Sequence, residues 1–278
     1  MKYEKWYGSI GRIMIFLVFL ILSILVIFPL IWMFISSFKN NTEFLAEPWG
    51  WPAKFQFNNY IYALKYGVGK YFINSIIITV ASVLCTVFFS ALCAYAISRF
   101  QFKGKNLVFV FILGGMMISP EVNLVSLFKL LQNIHLYNTR VGLIITYCVF
   151  EYSFTVLLFR SYMLSLPKAI EESALLDGCS VMQSFLHIVI PMCKPIISSG
   201  ALFTTMHVWN EYMFATVFIE SDSLRTIPVG LVTLQAALKT DYPVLISGLT
   251  LSAVVVIIAY FIFQKQFIRG LSQGSIKG

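Results

Sequence analysis

The chain has 278 residues, 59% of them hydrophobic and only 12% charged, with a mean hydropathy of +0.82 and a formal charge of +8. A soluble domain has roughly 45–50% apolar and about 25% charged residues, so one soluble core cannot hide this surface and lipid is the expected solvent. The cations form no basic, aromatic-interleaved patch, which argues against nucleic acid as a partner and for cytoplasmic membrane flanks.

A helix crosses a bilayer with about 20 apolar residues. In chain order the candidate runs are 13–37, 72–97, 107–119, 141–159 (interrupted by Glu151), 195–219 (interrupted by a polar patch) and 244–263. The first is longer than the core of a signal peptide and no small-residue cleavage site follows it, so no cleavable signal is expected. The third is short, ending at Pro120, and spans only if it begins near Phe102 or continues past the proline. Residues 124–131 have helical spacing but are too short to cross and are expected at the outer surface. The expected fold is therefore an all-α polytopic membrane protein with six transmembrane helices, and an even number puts both termini on one side.

Charge selects the side. With the ends inside, the inner segments 1–12, 98–105, 160–194 and 264–278 hold 12 Lys or Arg in 70 residues; the outer segments 39–71, 119–140 and 220–243 hold 8 in 79. This bias favours N- and C-termini in the cytoplasm. The five cysteines have no CxxC spacing and read as small buried hydrophobes.

Residues 171–191, EESALLDGCSVMQSFLHIVIP, stand out because they hold three of the chain's 12 acids. Pro167 suits a first helical turn, where Glu171 and Glu172 complement the helix dipole. Gly178 suits a left-handed helix end. Ser180 and Gln183 form an S-x-x-Q capping box, and Pro191 is expected to close the second helix. Two short capped helices joined at a glycine are more than a solvated connector needs. A DNA-reading helix-turn-helix is a poorer fit still: the acids would repel phosphate, and the module is tethered between two membrane runs.

At these residues the sequence resembles the inner-membrane permeases of ABC importers, whose cytoplasmic loop reads EAA, three residues, G, nine residues, then I-x-L-P. Here Glu172-Ser173-Ala174 leads to Gly178 and then to Ile188-Val189-Ile190-Pro191, with serine replacing an alanine and isoleucine a leucine. Ser36-Ser37-Phe38-Lys39, Asn58-Asn59-Tyr60, Asn74-Ser75, Trp209-Asn210-Glu211-Tyr212, the 225–231 segment and the tail from Gln266 to Gly278 are similar to the carbohydrate, maltose-type branch. The resemblance implies a type I importer permease with a tail, first helix and outer loop at 1–71, a core at 72–264 with the coupling loop at 167–191, and a cytoplasmic tail at 265–278. It implies a multi-pass protein of a prokaryotic plasma membrane, partnered by a second homologous permease, an ATP-binding cassette ATPase dimer, an extracytoplasmic sugar-binding protein and membrane lipid. Glu171, Glu172, Ser173, Ala174, Asp177 and Gly178 would meet the ATPase, as would Gln273, Gly274 and Lys277 of the tail.

Polar groups inside a membrane are costly and mark function by default. Glu151, Trp209, Asn210, Glu211 and Tyr212 offer the aromatic face and hydrogen-bonding groups that a sugar requires; the same residues would also serve as interhelical bonds or interface anchors. His207 and His187 read as packed or helix-bonding residues, with no second metal ligand at a suitable spacing. No GxxxxGK[ST] loop, nucleophile–base pair or metal cluster is present in the sequence. No catalytic residue and no cofactor is expected on this chain, ATP being used by the partner. The alternatives are an importer of a non-sugar solute and a self-sufficient carrier; a carrier should show an internal repeat or broken helices of its own.

Overall fold

The computed structural model describes residues 2–238 and 241–275, with side chains at 11–236, 241–262 and 264. The helices are α1 (Lys2–Ser36), α2 (Asn41–Ala46), α3 (Asn58–Ala63), α4 (Gly69–Arg99), α5 (Lys105–Gly114), α6 (Pro120–Asn133), α7 (Arg140–Ser165), α8 (Ala169–Leu176), α9 (Val181–Ser184), α10 (Ile190–Met192), α11 (Lys194–Asn210), α12 (Met213–Phe218), α13 (Ile227–Leu238) and α14 (Tyr242–Ser275). No strand occurs among the described residues. Four stretches are long and apolar enough to cross a membrane: Gly11–Ser36, Asn58–Arg99, Arg140–Ser165 and Tyr242–Ile262. Two bent helix pairs raise the number to six if each counts as one span.

The bent pairs fall at the limits of expected runs: at Pro120, which ends the third, and between the loop's second helix and the run from 195. Lys105–Met117 meets Pro120–Asn133 at 99°. The reason is local: Ser119 is extended (ψ 132), as a residue before proline prefers, and Pro120 then opens a new helix at its first position. The third run thus starts at Lys105, short of Phe102, and continues past the proline only after a sharp turn. Leu131, in the 124–131 stretch too short to cross, is buried in the core with Tyr147 and Phe218. Val181–Met192 meets Lys194–Asn210 at 76°. The run expected over 195–219 is itself broken after Asn210, with Glu211 extended and α12 starting at Met213.

The chain forms two compact units. The first comprises residues 1–68 and 231–252. Its centre is the turn after α1, where Asn59 Nδ2 donates to the carbonyls of Ser37 (2.7 Å) and Lys39 (2.8 Å). The fully buried Lys39 donates through Nζ to the carbonyls of Glu47 (2.8 Å) and Pro48 (3.0 Å). Trp32 Nε1 shares the Pro48 carbonyl at 2.8 Å, and its ring lies 5.4 Å from that of Trp49. The apolar window of α1 buries none of its residues.

The second unit, 69–230 and 253–278, is built on α4, α7 and α11, which pack on one another. One core contains Ile78, Leu143, Tyr147, Val208 and Phe218; another contains Ala94, Tyr95, Phe159, Met163, Phe185 and Val189. Asn74 and Ser75, near the start of α4, hold the 219–227 segment. Asn74 Nδ2 donates to the carbonyls of Ser223 (2.8 Å) and Arg225 (3.0 Å), its Oδ1 accepts from Arg140 Nη2 (2.8 Å), and Ser75 Oγ accepts from the Ile227 amide (2.8 Å). Asn138, with φ +57, accepts from the amides of Glu220 (3.1 Å) and Ser221 (3.0 Å).

Candidate functional site

Two features combine exposure with polar groups: the loop between α7 and α11, and a cavity bordered by α7 and α11. The loop has the helix–glycine–helix form expected of it. Its first helix, α8, starts at Ala169, so Pro167 lies just outside rather than in the first turn. It ends in a Schellman arrangement: the Cys179 amide donates to Ala174 (3.0 Å), the Gly178 amide donates to Leu175 (3.1 Å), and Gly178 takes φ +89. That conformation costs an L-residue roughly 1–2 kcal/mol, which explains a glycine here.

The capping box opens α9. The Gln183 amide donates to Ser180 Oγ (3.3 Å), and the Ser180 amide donates to Gln183 Oε1 (2.8 Å). The helix widens into a π turn over Phe185–Val189 and runs to Met192, one residue past the expected closure at Pro191. Between the two helices lies a cleft of about 310 Å³ lined by Asp177, Gly178, Cys179, Gln183, His187 and Ile188.

The six loop candidates divide into two sets. Glu172, Ser173, Asp177 and Gly178 are exposed, as is Leu176 at 89%. Glu171 and Ala174 are the only buried residues of α8. Glu171 does not share the exposed face with Glu172. Its Oε1 lies 2.5 Å from Nη2 of Arg99, the last residue of α4, and both side chains are at most 10% exposed. Neighbours on a helix are turned by about 100°, so two adjacent glutamates face opposite environments.

The cavity, about 610 Å³, brings together Glu151, Asn210, Glu211 and Tyr212 with Tyr147, Phe150, His207 and Glu121. Glu151 Oε1 is 3.1 Å from His207 Nδ1. Glu211 accepts from Tyr147 Oη (2.5 Å) and from the amides of Phe214 (2.7 Å) and Ala215 (3.1 Å), capping α12. Glu121 accepts from the Ser119 hydroxyl. Every Asp, Glu, Lys or Arg on the lining is a glutamate. Trp209 is not part of it. It is 3% exposed and packs edge-on to Phe72 at 5.9 Å, so the aromatic lining comes from Tyr147, Phe150, Tyr212 and Phe214.

Helical spacing held part of this answer. His207 and Asn210 stand at i and i+3 of α11 and share a face, as do Tyr147 and Glu151 on α7, whereas Trp209 falls between; Glu211 follows α11 as an extended residue. Of the tail candidates, Gln273 and Gly274 belong to the backbone of α14 and Lys277 lies outside the described residues. Among the described residues no three His, Cys, Asp or Glu side chains converge as metal ligands.

Residues 86–273 match the family described as the binding-protein-dependent transport system inner membrane component. The chain belongs to this family. It is 43% identical to the probable ABC transporter permease protein YurM of Bacillus subtilis, over 99% of this chain and 91% of that protein. It is 33% identical to the arabinooligosaccharides transport system permease protein AraQ of Bacillus subtilis, covering 97% of each. It is also 33% identical to the trehalose/maltose transport system permease protein MalG of Thermococcus litoralis, over 96% of this chain and 97% of that protein. Its fold is shared with a chain of a bacterial ABC transporter involved in the import of the acidic polysaccharide alginate, with a TM-score of 0.81 at 23% identity over 96% and 98% of the two chains. As an inner membrane component the protein is membrane-embedded, and the matched region contains both the loop and the cavity.

Proposed function

We propose that this inner membrane component is the permease subunit of an ATP-driven, binding-protein-dependent sugar importer, coupled to its ATPase through the 167–191 loop. The observation that carries the reading is the exposed set Glu172, Leu176 and Asp177 on a short helix whose opposite face is anchored. An exposed leucine beside carboxylates suits a partner cleft with an apolar floor and a basic rim, and such charge complementarity rejects wrong partners. The loop is short, with a capped helix end on each side of Gly178, so it can act as a lever. ATP-driven closure of the ATPase dimer would move two such levers and shift the pore between two states, through contacts that differ between them.

In this reading a second homologous permease completes the pore, an extracytoplasmic binding protein delivers the cargo, and both termini are cytoplasmic. The tail with Gln273, Gly274 and Lys277 adds a second ATPase contact, and ATP is bound by the ATPase alone. A sugar cargo is supported by the names of relatives that align over nearly their whole length, and by a cavity that pairs aromatic rings with an amide and carboxylates. Within the cavity Tyr212 supplies an aromatic face and Asn210 and Glu151 supply polar groups.

The test is a pull-down from native membranes in mild detergent with an N-terminal tag, comparing wild type with Glu172→Lys. The expected result is co-purification of an ATPase and a second permease with wild type, and loss of the ATPase alone in the variant. A chain that purifies by itself, or a variant that keeps its ATPase, overturns the coupling reading. Uptake of amino acids or peptides, and of no saccharide, overturns the sugar assignment.

A further inference from the structure

The loop's two helices are held to the rest of the second unit very differently. The second is fastened by apolar packing: Phe185 and Val189 sit in a core with Tyr95 and Phe159, and the rings of Tyr95 and Phe185 are 4.8 Å apart. The first, α8, has eight residues and buries only Glu171 and Ala174. One alanine methyl supplies little apolar burial. Its buried polar tie is Glu171, which pairs with Arg99 at the end of α4 and also faces the Tyr95 side chain of the same helix.

That pair is unusual in being incompletely satisfied. Arg99 Nη2 lies 2.5 Å from Glu171 Oε1 as an ion pair, yet none of the three buried guanidinium nitrogens makes a hydrogen bond of good geometry. Breaking the pair would strand two buried charges, which holds Glu171 to Arg99.

We propose that Arg99 is a positioning residue for coupling: through Glu171 it locks α8 to α4, so that a push on the exposed face of α8 moves α4 instead of being absorbed at the Gly178 hinge. This rests on the coupling reading above and adds to it the route by which motion enters the membrane helices. α4 packs along α7 and α11, the helices that border the acid-lined cavity. Glu171 is then part of the transmission, and the ATPase meets Glu172, Leu176 and Asp177.

The test uses the assembled importer in lipid nanodiscs, with the five cysteines replaced by alanine. Spin labels go on Leu175→Cys, which is 45% exposed on α8 and outside the set that meets the ATPase, and on Phe102→Cys, which is 44% exposed and follows α4. Their distance distribution is measured without nucleotide and with ATP. In the otherwise wild-type chain the two labels should keep one distance in both states. Arg99→Gln should broaden the distribution about twofold, as a locally released element does. Arg99→Lys should preserve it, because the observed contact uses one nitrogen. The exchange Arg99→Glu with Glu171→Arg should restore it, an outcome that general damage to the fold would not produce.

An Arg99→Gln distribution identical to wild type in both states overturns the lock. So does an exchange no better than either single variant in complexes that still assemble. Failure of the coupling reading looks different: Glu172→Lys would then keep its ATPase whatever Arg99 does.

Discussion

Tyr147 and Glu211 are joined at 2.5 Å across the α7–α11 boundary, and the same carboxylate holds the amides of Phe214 and Ala215. One side chain therefore ends α11, starts α12 and ties the break to α7. Glu211→Ala should destabilise the protein by about 2–4 kcal/mol, combining a lost helix cap with a lost bond to a charged acceptor. Tyr147→Phe should cost about 1–2 kcal/mol, and the double variant should cost less than the sum. Thermal unfolding in detergent would check this; additive effects would mean that the two residues act separately.

Gly178 is predicted to tolerate only residues that accept φ +89. No atom lies within 4 Å of an added Cβ, so any cost is conformational. Gly178→Ala should weaken the loop by about 1–2 kcal/mol, and Gly178→Asn by less, since asparagine visits this region more readily. Gly178→Pro should abolish transport while the membrane helices remain inserted. Uptake assays together with limited proteolysis of the loop would separate these cases, and normal transport by the proline variant would remove the hinge from the mechanism.

A different glycine is constrained by space. A Cβ at Gly230 would lie 2.0 Å from the Tyr71 ring, which is itself held by a 2.9 Å bond from Tyr71 Oη to Asp222. Gly230→Ala should destabilise by about 1–3 kcal/mol through overpacking, and Tyr71→Ala in the same chain should relieve much of that clash. Melting temperatures of the single and double variants would decide; a purely additive pair would contradict the contact.

Trp209 and Tyr212, three residues apart, should fail in different ways. Trp209→Ala removes a buried ring packed on Phe72 and should cost about 3–5 kcal/mol in stability. Tyr212→Ala removes a 43% exposed ring on the cavity and should leave stability within about 0.5 kcal/mol while lowering sugar uptake. Reduced uptake with Trp209→Ala in protein that remains fully folded would return the tryptophan to the cargo path.

The loop was legible in the sequence because its determinants are local. A glycine, a capping serine and a glutamine three residues on are enough to specify two helices and the hinge between them. What the sequence left open depends on partners distant along the chain. Glu171 and Glu172 look alike until Arg99, 72 positions earlier, takes one of them. Glu211 reads as an intramembrane functional acid until the first-turn amides of α12, which lack a partner within the helix, claim both its oxygens. The apolar run over 195–219 conceals that break because hydropathy is blind to which backbone donors need a cap. Asn74 and Asn138 carry no apolar signal, yet they fasten the 219–227 segment from both sides.

Lys39 lies within the first unit with its ammonium turned onto two carbonyls and none of its surface open to solvent. Lys54 and Lys65 of the same unit are exposed. An amine-acylating reagent should thus mark Lys54 and Lys65 at once and reach Lys39 only when the turn after α1 opens. The chain thereby carries its own chemical clock, in which the delay between the two labelling rates reports how often that turn comes undone.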